Sequence, residues 1–446
     1  MSPSYRQMLV AALLAACRPT APRAAVPAPG GAPSATRCAI AATPTPARDT
    51  VTIGLTEPVD PAHAPVPRND AERLVFPQLY ETLLQVDCEG RIVPGLARSW
   101  SADEAGRRWT FTLRDDARFW DGSPVTAQDV LASWIARDSG SSVLTWSGGL
   151  GHAATVIGER VFTVLLPPSY DSLAPLFADP ALAVSKAAPD RGGGWPIGTG
   201  PFWVTSETAS ERVIRATPMS DARELPAITF RVFSAGGARD ALDEGVDLLV
   251  TSDPTVLDYA ASRPELEAVP LEWDRTYVLL APAAVSLTSS DLEDLRRAVR
   301  VEARAADRFF WWWSLTGCHL PASGDGAPER SPPAAHRIVY DRTDPIARDL
   351  AARLVARSLL GPSSVAAGLA PDAFAAALDA GDDAYVLALR RRALDRCREA
   401  EQIPPLVRGS PAAVIPLVDT RPAAIVRRGS VRLSLSFDST LRLAPR

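Results

Sequence analysis

The sequence predicts a mixed α/β protein built from two lobes. Short alternating segments typical of strands are interleaved with segments whose apolar residues recur at helical spacing, without a regular βαβ rhythm. A chain of 446 residues, 46% of them hydrophobic, is also long enough to form two or three separate cores. We find no internal repeat in the sequence.

The first 48 residues are expected to precede the folded body. Met8 to Ala16 are all apolar, a run too short for a membrane span, which needs about 20 such residues, and typical of a signal peptide. The run ends in Leu14-Ala15-Ala16-Cys17, which resembles a bacterial lipoprotein box. Residues 1–17 are therefore expected to be a lipoprotein signal peptide with Cys17 as the lipidated residue. An ordinary secretory signal with an unrelated cysteine is the alternative. Residues 18–48 are rich in proline and alanine and predict a disordered linker.

The body begins at Val51 with the alternating strand VTIGLT. Residues 83–100 predict a hairpin whose turn lies at Asp87 to Gly90. Further strands are predicted at 161–167, 228–233, 246–250, 276–282, 337–341, 412–418 and 432–438, and helices at 291–309 and 344–360.

The most informative segment is RRWTFTLRDDARFWDGSPVTAQDVLASW, residues 107–134. Its apolar residues first alternate with threonines, which predicts a half-buried strand. Asp121-Gly122 predicts a turn. Thr126 and Asp129 have the spacing of a capping box and predict the start of a helix that carries Trp134.

This segment belongs to a longer stretch, YETLLQVDCEGRIVPGLARSWSADEAGRRWTFTLRDDARFWDGSPVTAQDV, which resembles the family 5 extracytoplasmic solute-binding proteins of peptide and nickel ABC importers. Looser similarity occurs at GTGPFWV (198–204), FRVFSAGGARDALDEGVDLLV (230–250), LEDLRRAVRVEARAADR (292–308) and RIVYDRTDPIARDLAARLVAR (337–357). The resemblance implies an α/β, two-lobed, periplasmic-binding-protein-like fold of type II, with hinge strands and an extra scaffold subdomain in lobe one. Lobe one would comprise 49–281 plus 413–446. Lobe two would comprise 283–411 and would be shorter than is usual in the family.

The resemblance also implies a function. A protein of this kind is a solute-binding lipoprotein of an ABC transporter that binds a peptide or another small solute between its lobes and delivers it to a permease. It would be a monomer without enzymatic activity or cofactor, lipid-anchored in the cell envelope and facing the periplasm or the cell exterior. The alternative, suggested by the short lobe two, is a degenerate scaffold with a sensing or envelope-interaction role and no transport. A secreted hydrolase is a third class, but no catalytic motif supports it. A net charge of −5 argues against a nucleic-acid partner.

Ligand contacts are expected beside the two strands that cross between the lobes, near Tyr277 and Pro416. From lobe one we select Asn69 and Trp146, and from lobe two Trp313. Aromatic faces can hold a ligand with few polar contacts. The alternative places Trp146 in a surface loop and Trp313 in a core.

The cysteines other than Cys17 are even in number, which allows two disulfides in an exported chain. Proximity in the predicted fold favours Cys38–Cys88 and Cys318–Cys397. Buried free thiols are the alternative. The spacing of these cysteines and of the few histidines matches no zinc pattern, so no metal site is expected.

Overall fold

The fold was obtained as a computed structural model. It describes residues 39–40, 49–103, 106–138, 151, 153–166, 176–188, 194–208, 212–219, 222, 224–233, 237–271, 275–281, 310–311, 337–358, 360–390, 413–436 and 440–444. The predicted signal peptide and most of the predicted linker lie outside these residues. No helix among the described residues is both long and apolar enough to cross a membrane.

The strands are, in chain order, β1 (Ala39–Ile40), β2 (Thr50–Leu55), β3 (Leu84–Val86), β4 (Ile92–Pro94), β5 (Ala97–Ala102), β6 (Arg108–Leu113), β7 (Ala154–Gly158), β8 (Val161–Leu165), β9 (Phe202–Thr208), β10 (Val213–Pro218), β11 (Ala227–Val232), β12 (Leu248–Thr251), β13 (Leu266–Pro270), β14 (Arg275–Ala281), β15 (Phe310–Trp311), β16 (Arg337–Asp341), β17 (Val365–Leu369), β18 (Ala384–Arg390), β19 (Ala413–Thr420), β20 (Ala423–Arg427), β21 (Leu433–Leu435) and β22 (Leu441–Leu443). The α-helices are α1 (Asp70–Leu79), α2 (Ala127–Asp138), α3 (Ala238–Asp243), α4 (Pro254–Ala261), α5 (Pro345–Ala356) and α6 (Pro371–Ala380).

Lobe one is organised by a seven-stranded sheet with the order β13-β20-β12-β2-β11-β10-β9. Its centre is parallel, since β2 pairs in parallel with both β11 and β12. Val51, Ile53 and Leu55 on one face of β2 are 1–2% exposed, and Gly54 on the other face is also buried, as expected for a central strand covered on both faces. Helix α1 packs into the same core through Val75, Phe76 and other apolar residues.

Lobe two is organised by a six-stranded sheet with the order β15-β19-β14-β18-β16-β17. Helix α5 covers one face of it. The helical spacing in 344–360 predicts a buried stripe, and the structure confirms that Ile346, Leu350 and Leu354 are buried there.

The chain passes between the two sheets twice, and the two passages lie next to each other. β13 and β20 pair in the first sheet, while β14 and β19 pair in the second. The connections run from Pro270 to Arg275 and from Thr420 to Ala423. The predicted division assigned 275–281 and 413–420 to lobe one, whereas their pairing places both strands in the sheet of lobe two. The passages therefore lie just outside these strands, at 271–274 and 421–422.

The scaffold segment of lobe one has the predicted form. β6 lies in a four-stranded sheet of order β5-β6-β8-β7, and Phe111 and Leu113 are fully buried. Thr126 Oγ1 accepts a hydrogen bond from the backbone N–H of Asp129, and the Asp129 carboxylate accepts one from the backbone N–H of Thr126, which confirms the capping box. The hairpin at 83–100 is also confirmed, as β3 pairs with β4.

Candidate functional site at the junction of the lobes

The two passages bring charged side chains from both lobes together. Glu57 follows β2, Asp70 begins α1, Arg275 and Tyr277 lie at the start of β14, and Asp344 precedes α5. We call these five residues the junction cluster.

Glu57 connects the loop after β2 to the N-terminus of α1. Its Oε2 accepts hydrogen bonds from the backbone N–H groups of Asp70, at 2.9 Å, and Ala71, at 3.4 Å. The first N–H groups of a helix have no partner within the helix and carry partial positive charge, so a carboxylate is stabilised there. Glu57 therefore fixes α1 relative to the first sheet.

The rest of this loop is held by the fully buried carboxylate of Glu72 on α1. Glu72 accepts hydrogen bonds from the backbone N–H groups of Asp60, at 3.1 Å, and Arg68, at 2.7 Å. His63 Nδ1 lies 2.7 Å from Glu72 Oε1. The loop is thus ordered by hydrogen bonds on both sides of the helix start.

Asn69, predicted as a ligand contact, is the N-cap of α1. Its side-chain oxygen accepts from the Glu72 N–H at 2.8 Å, and its Nδ2 donates to the Pro58 carbonyl at 2.8 Å. Both ends of the amide therefore have structural hydrogen bonds, although the residue lies next to the junction cluster.

The contact between the lobes is an ion pair. Arg275 Nη2 lies 2.7 Å from Asp70 Oδ2. The Arg275 side chain is 15% exposed and the Asp70 side chain 44% exposed, so the guanidinium is mostly buried while the carboxylate reaches solvent. This pair connects the first strand of lobe two after the crossing to the first helix of lobe one.

Tyr277 lies two residues further along β14 and faces the same side of the sheet. It is 2% exposed, and its hydroxyl donates to the Asp344 carboxylate, with Oδ2 at 2.9 Å. Asp344 Oδ1 in turn accepts from the backbone N–H groups of Ile346, at 3.0 Å, and Ala347, at 2.9 Å, as the N-cap of α5. The ring of Tyr277 lies in the core of lobe two, which corrects the expectation that it lines the cleft.

Electrostatics favour protonation of two acids of the junction cluster, Glu57 and Asp344. Burial raises the pKa of Glu57, and the charge of Asp70 raises it further, while the N–H groups of α1 and the charge of Arg275 oppose this. Burial also raises the pKa of Asp344, against the hydrogen bonds from Ala347 and Tyr277. Burial and the Asp344 charge raise the pKa of Tyr277 well above its usual range, so its phenol stays neutral. The Arg275 guanidinium thus contacts the Asp70 carboxylate, and its charge also acts on Glu57 and Asp344.

Other predicted site residues fall where the structure gives no side-chain description. Trp146 and Trp313 lie outside the described residues, as does the side chain of Pro416. Cys17, Cys38, Cys318 and Cys397 also lie outside. Cys88 is disulfide-bonded, but its partner is beyond the described residues, so the pairing stays a prediction. Within the described ranges, no three His, Cys, Asp or Glu side chains are grouped in a way that could hold a metal ion.

A cavity lies apart from the junction cluster, between α1, β3 and the hairpin of β21 and β22. Its wall includes Phe76, Gln85 and Arg442. Arg442 donates to Gln85 Oε1 at 3.2 Å and to the Pro77 carbonyl at 3.3 Å. These bonds make Arg442 a connection between lobe-one elements.

Comparison with known proteins finds similarity to one family of solute-binding proteins. The family model described as bacterial extracellular solute-binding proteins, family 5, middle part, matches residues 91–280. Residues 91–280, less than half of the chain, are therefore similar to this family of solute-binding proteins. The matched residues cover the scaffold sheet and most of lobe one, and they end within β14.

Curated relatives match over short stretches. The periplasmic murein peptide-binding protein MppA of Escherichia coli is 50% identical over 91 residues, which is 19% of this chain and 17% of that protein. The periplasmic oligopeptide-binding protein OppA of E. coli is 46% identical over 69 residues, 16% of this chain and 12% of that protein. The chain therefore matches less than a fifth of the length of these two relatives.

Solved structures have the same fold over nearly the whole chain. NikA from Brucella suis, solved in complex with Fe(III)-EDTA, superimposes with a TM-score of 0.66 at 16% identity, covering 89% of this chain and all of that one. The E. coli murein tripeptide-binding protein MppA superimposes with a TM-score of 0.62 at 15% identity, covering 91% and 100%. The two-lobed periplasmic-binding-protein fold is confirmed.

The junction cluster was not singled out by sequence. For two of its members, the neighbouring sequence indicated a structural role. Asp344 precedes Pro345, an arrangement typical of an N-cap followed by the first helical residue, and Glu57 follows a predicted strand directly. The pairing of Arg275 with Asp70 had no local signal, because the two residues are about 200 positions apart.

Proposed function

We propose that this protein is the solute receptor of an ABC importer, which binds a small solute between its two lobes and presents it to a permease. The ligand class we favour is a peptide or another small solute. No enzymatic step is part of the proposal.

The observation that carries the proposal is the double crossing between the sheets. Two adjacent connections of a few residues each allow one lobe to rotate about the other, which is the hinge arrangement used for closure around a ligand. Concave spaces between domains are also common ligand sites. The junction cluster lies at the base of this hinge, where side chains from both lobes meet.

The location is part of the same proposal. We place the protein outside the cytoplasm, with the signal at residues 1–17 directing export, Cys17 carrying the lipid, and the part of residues 18–48 that precedes β1 spacing the body from the membrane. Trp146 and Trp313 remain our candidates for ligand contacts at the rim.

Ligand-induced thermal stabilisation tests the function. A ligand that binds only the folded protein at 100 times its Kd stabilises it by about 2.7 kcal/mol, a shift of a few degrees in Tm for a protein of this size. The panel should contain peptides of two to five residues, metal chelates and sugars. The receptor proposal predicts a dose-dependent rise in Tm with at least one class, and a Trp313→Ala variant should weaken it. If every class of compound in the panel leaves Tm unchanged, the solute-receptor proposal fails, and the alternative of a scaffold without a transport role is favoured.

A further inference from the structure

The junction cluster has the features of an electrostatic latch between the lobes. Arg275 is the cation of this cluster, and its guanidinium acts on carboxylates of both lobes. It contacts Asp70 directly, and its charge partly opposes the rise that burial causes in the pKa values of Glu57 in lobe one and Asp344 in lobe two. Its attraction therefore acts across the hinge.

The position of Arg275 makes this attraction relevant to hinge motion. It is the first residue of β14, immediately after the crossing, and it pairs directly with Thr420, the last residue of β19 before the second crossing. Asp70 is the first residue of α1, whose start is tied to the preceding lobe-one loop by the carboxylates of Glu57 and Glu72. A rotation at 271–274 and 421–422 would change the distance between Arg275 and Asp70 before it disturbed either core.

Thr420, which lies beside the ion pair, has a buried hydroxyl that opposes the stabilising effect of this pair. Thr420 is 1% exposed, and within the described residues its hydroxyl has no hydrogen-bond partner. Because directly opposite residues of an antiparallel pair face the same side, this hydroxyl lies on the same face as Arg275. A buried hydroxyl without a partner destabilises the arrangement relative to one in which it is hydrated.

We propose that Arg275 is the positioning residue of the hinge: its ion pair with Asp70 holds the lobes in the arrangement seen here, and the buried hydroxyl of Thr420 works against it. The latch sets the balance between arrangements of the lobes without contacting ligand. Its effect on ligand affinity rests on the proposed function, whereas its effect on the hinge does not.

The test compares amide hydrogen exchange of the full chain in the crossing segments, residues 266–281 and 413–427. Asp70→Asn removes the charge and keeps the shape of the side chain. A partly exposed ion pair of this kind changes an equilibrium by about two- to fivefold, so exchange in the crossing segments should accelerate by that factor. Asp70→Glu keeps the charge and should restore most of the protection. Thr420→Val removes the opposing effect and should slow exchange. β6 and β8 serve as internal controls whose exchange should not change.

The salt dependence of hydrogen exchange distinguishes an electrostatic latch from packing contacts that involve no charge. Raising the salt concentration from 0.05 to 0.5 M shortens the screening length from about 14 Å to about 4 Å, so exchange in the wild-type crossing segments should accelerate. The Asp70→Asn variant should respond much less. Equal exchange in wild type and Asp70→Asn, or the same salt response in both, would overturn the latch.

A ligand found in the thermal panel provides the second measurement. Asp70→Asn should change its Kd by about two- to fivefold, and Asp70→Glu should bring the Kd back. Altered exchange with an unaltered Kd would overturn the claim that the latch governs binding. If no ligand is found, the proposed function fails on its own, while the exchange data still decide the latch.

Discussion

Lys186, the only lysine in the chain, offers a measurable test of the packing between the scaffold turn and the neighbouring segment that contains this residue. Its Nζ lies 2.7 Å from Asp121 Oδ2, donates to Ser123 Oγ at 2.7 Å, and sits 4.4 Å from the centre of the Phe119 ring. We consider Lys186→Met, which keeps an apolar stem against the ring and removes the ammonium group.

The size of the effect follows from the pKa of Asp121. Burial opposes ionisation of this carboxyl, but hydrogen bonds from Lys186 and Ser123 and the Lys186 charge lower its pKa from 3.8 to about 2. Such a difference corresponds to about 2.4 kcal/mol in favour of the ionised form. The two side chains are 31% and 33% exposed, so solvent screening reduces the contribution to about 1 kcal/mol. Loss of the cation over the ring adds about 0.5 kcal/mol.

Lys186→Met should therefore lower the free energy of unfolding by about 1–2 kcal/mol at pH 7, measured by urea unfolding followed by tryptophan fluorescence. A carboxyl with a lowered pKa contributes stability that is present above the unfolded value of 3.8 and is lost as pH falls through about 2. The difference between wild type and variant should shrink over that range.

Lys186→Arg keeps the charge and serves as the matched control; it should lose much less stability. A Lys186→Met protein as stable as wild type at pH 7, or a difference that does not change between pH 4 and pH 2, would refute this reasoning.

Three further outcomes are expected. Trp134 is 1% exposed and donates from Nε1 to the Leu182 carbonyl at 3.1 Å, so Trp134→Ala should cost about 3–5 kcal/mol of unfolding free energy by denaturant titration, whereas a cost below 1 kcal/mol would contradict its core role. The raised pKa of Glu57 means that its stabilising contribution is present below 4.5 and is lost as pH rises through the higher folded value; the Tm of Glu57→Gln relative to wild type should therefore rise between pH 4 and pH 7, and a fall would show that the sign is wrong. Cys17→Ser should move the protein from the membrane to the soluble envelope fraction, as judged by immunoblotting, and unchanged membrane association would exclude Cys17 as the anchor.

Elements whose formation depends on near neighbours in the sequence were predictable. The strand at Phe111, the turn at Gly122 and the capping box at Thr126 are each specified within a few residues, and the structure contains all three. The same applies to the hairpin around Asp87 and to the buried stripe of α5.

The assignment of strands to lobes was less predictable. TYVLLAP and AAVIPLV have the composition of central strands whichever sheet contains them, so the sequence pattern could not place them in the second sheet. The junction cluster was missed for a related reason. Asp70 and Arg275 are ordinary surface residue types. Their ion pair forms only because the crossing brings Arg275 Nη2 within 2.7 Å of Asp70 Oδ2.

Tyr277 shows a different limit of prediction from the sequence. An aromatic residue near a predicted hinge can face the cleft or the core, and strand alternation does not say which face is which. The deciding fact is the hydrogen bond to Asp344, the N-cap of a helix that follows more than 60 residues later.

The position of β20 determines when during synthesis the first lobe can fold. This strand lies inside the seven-stranded sheet, between β13 and β12, yet it is made only after all the strands of the second sheet. Until residue 427 is available, β12 and β13 have no strand to join them, and Ile425 and Val426 are missing from the cores they help to fill. A chain synthesised from its N-terminus therefore cannot complete its first lobe until nearly all of the body has been made, although its second sheet can form before that point.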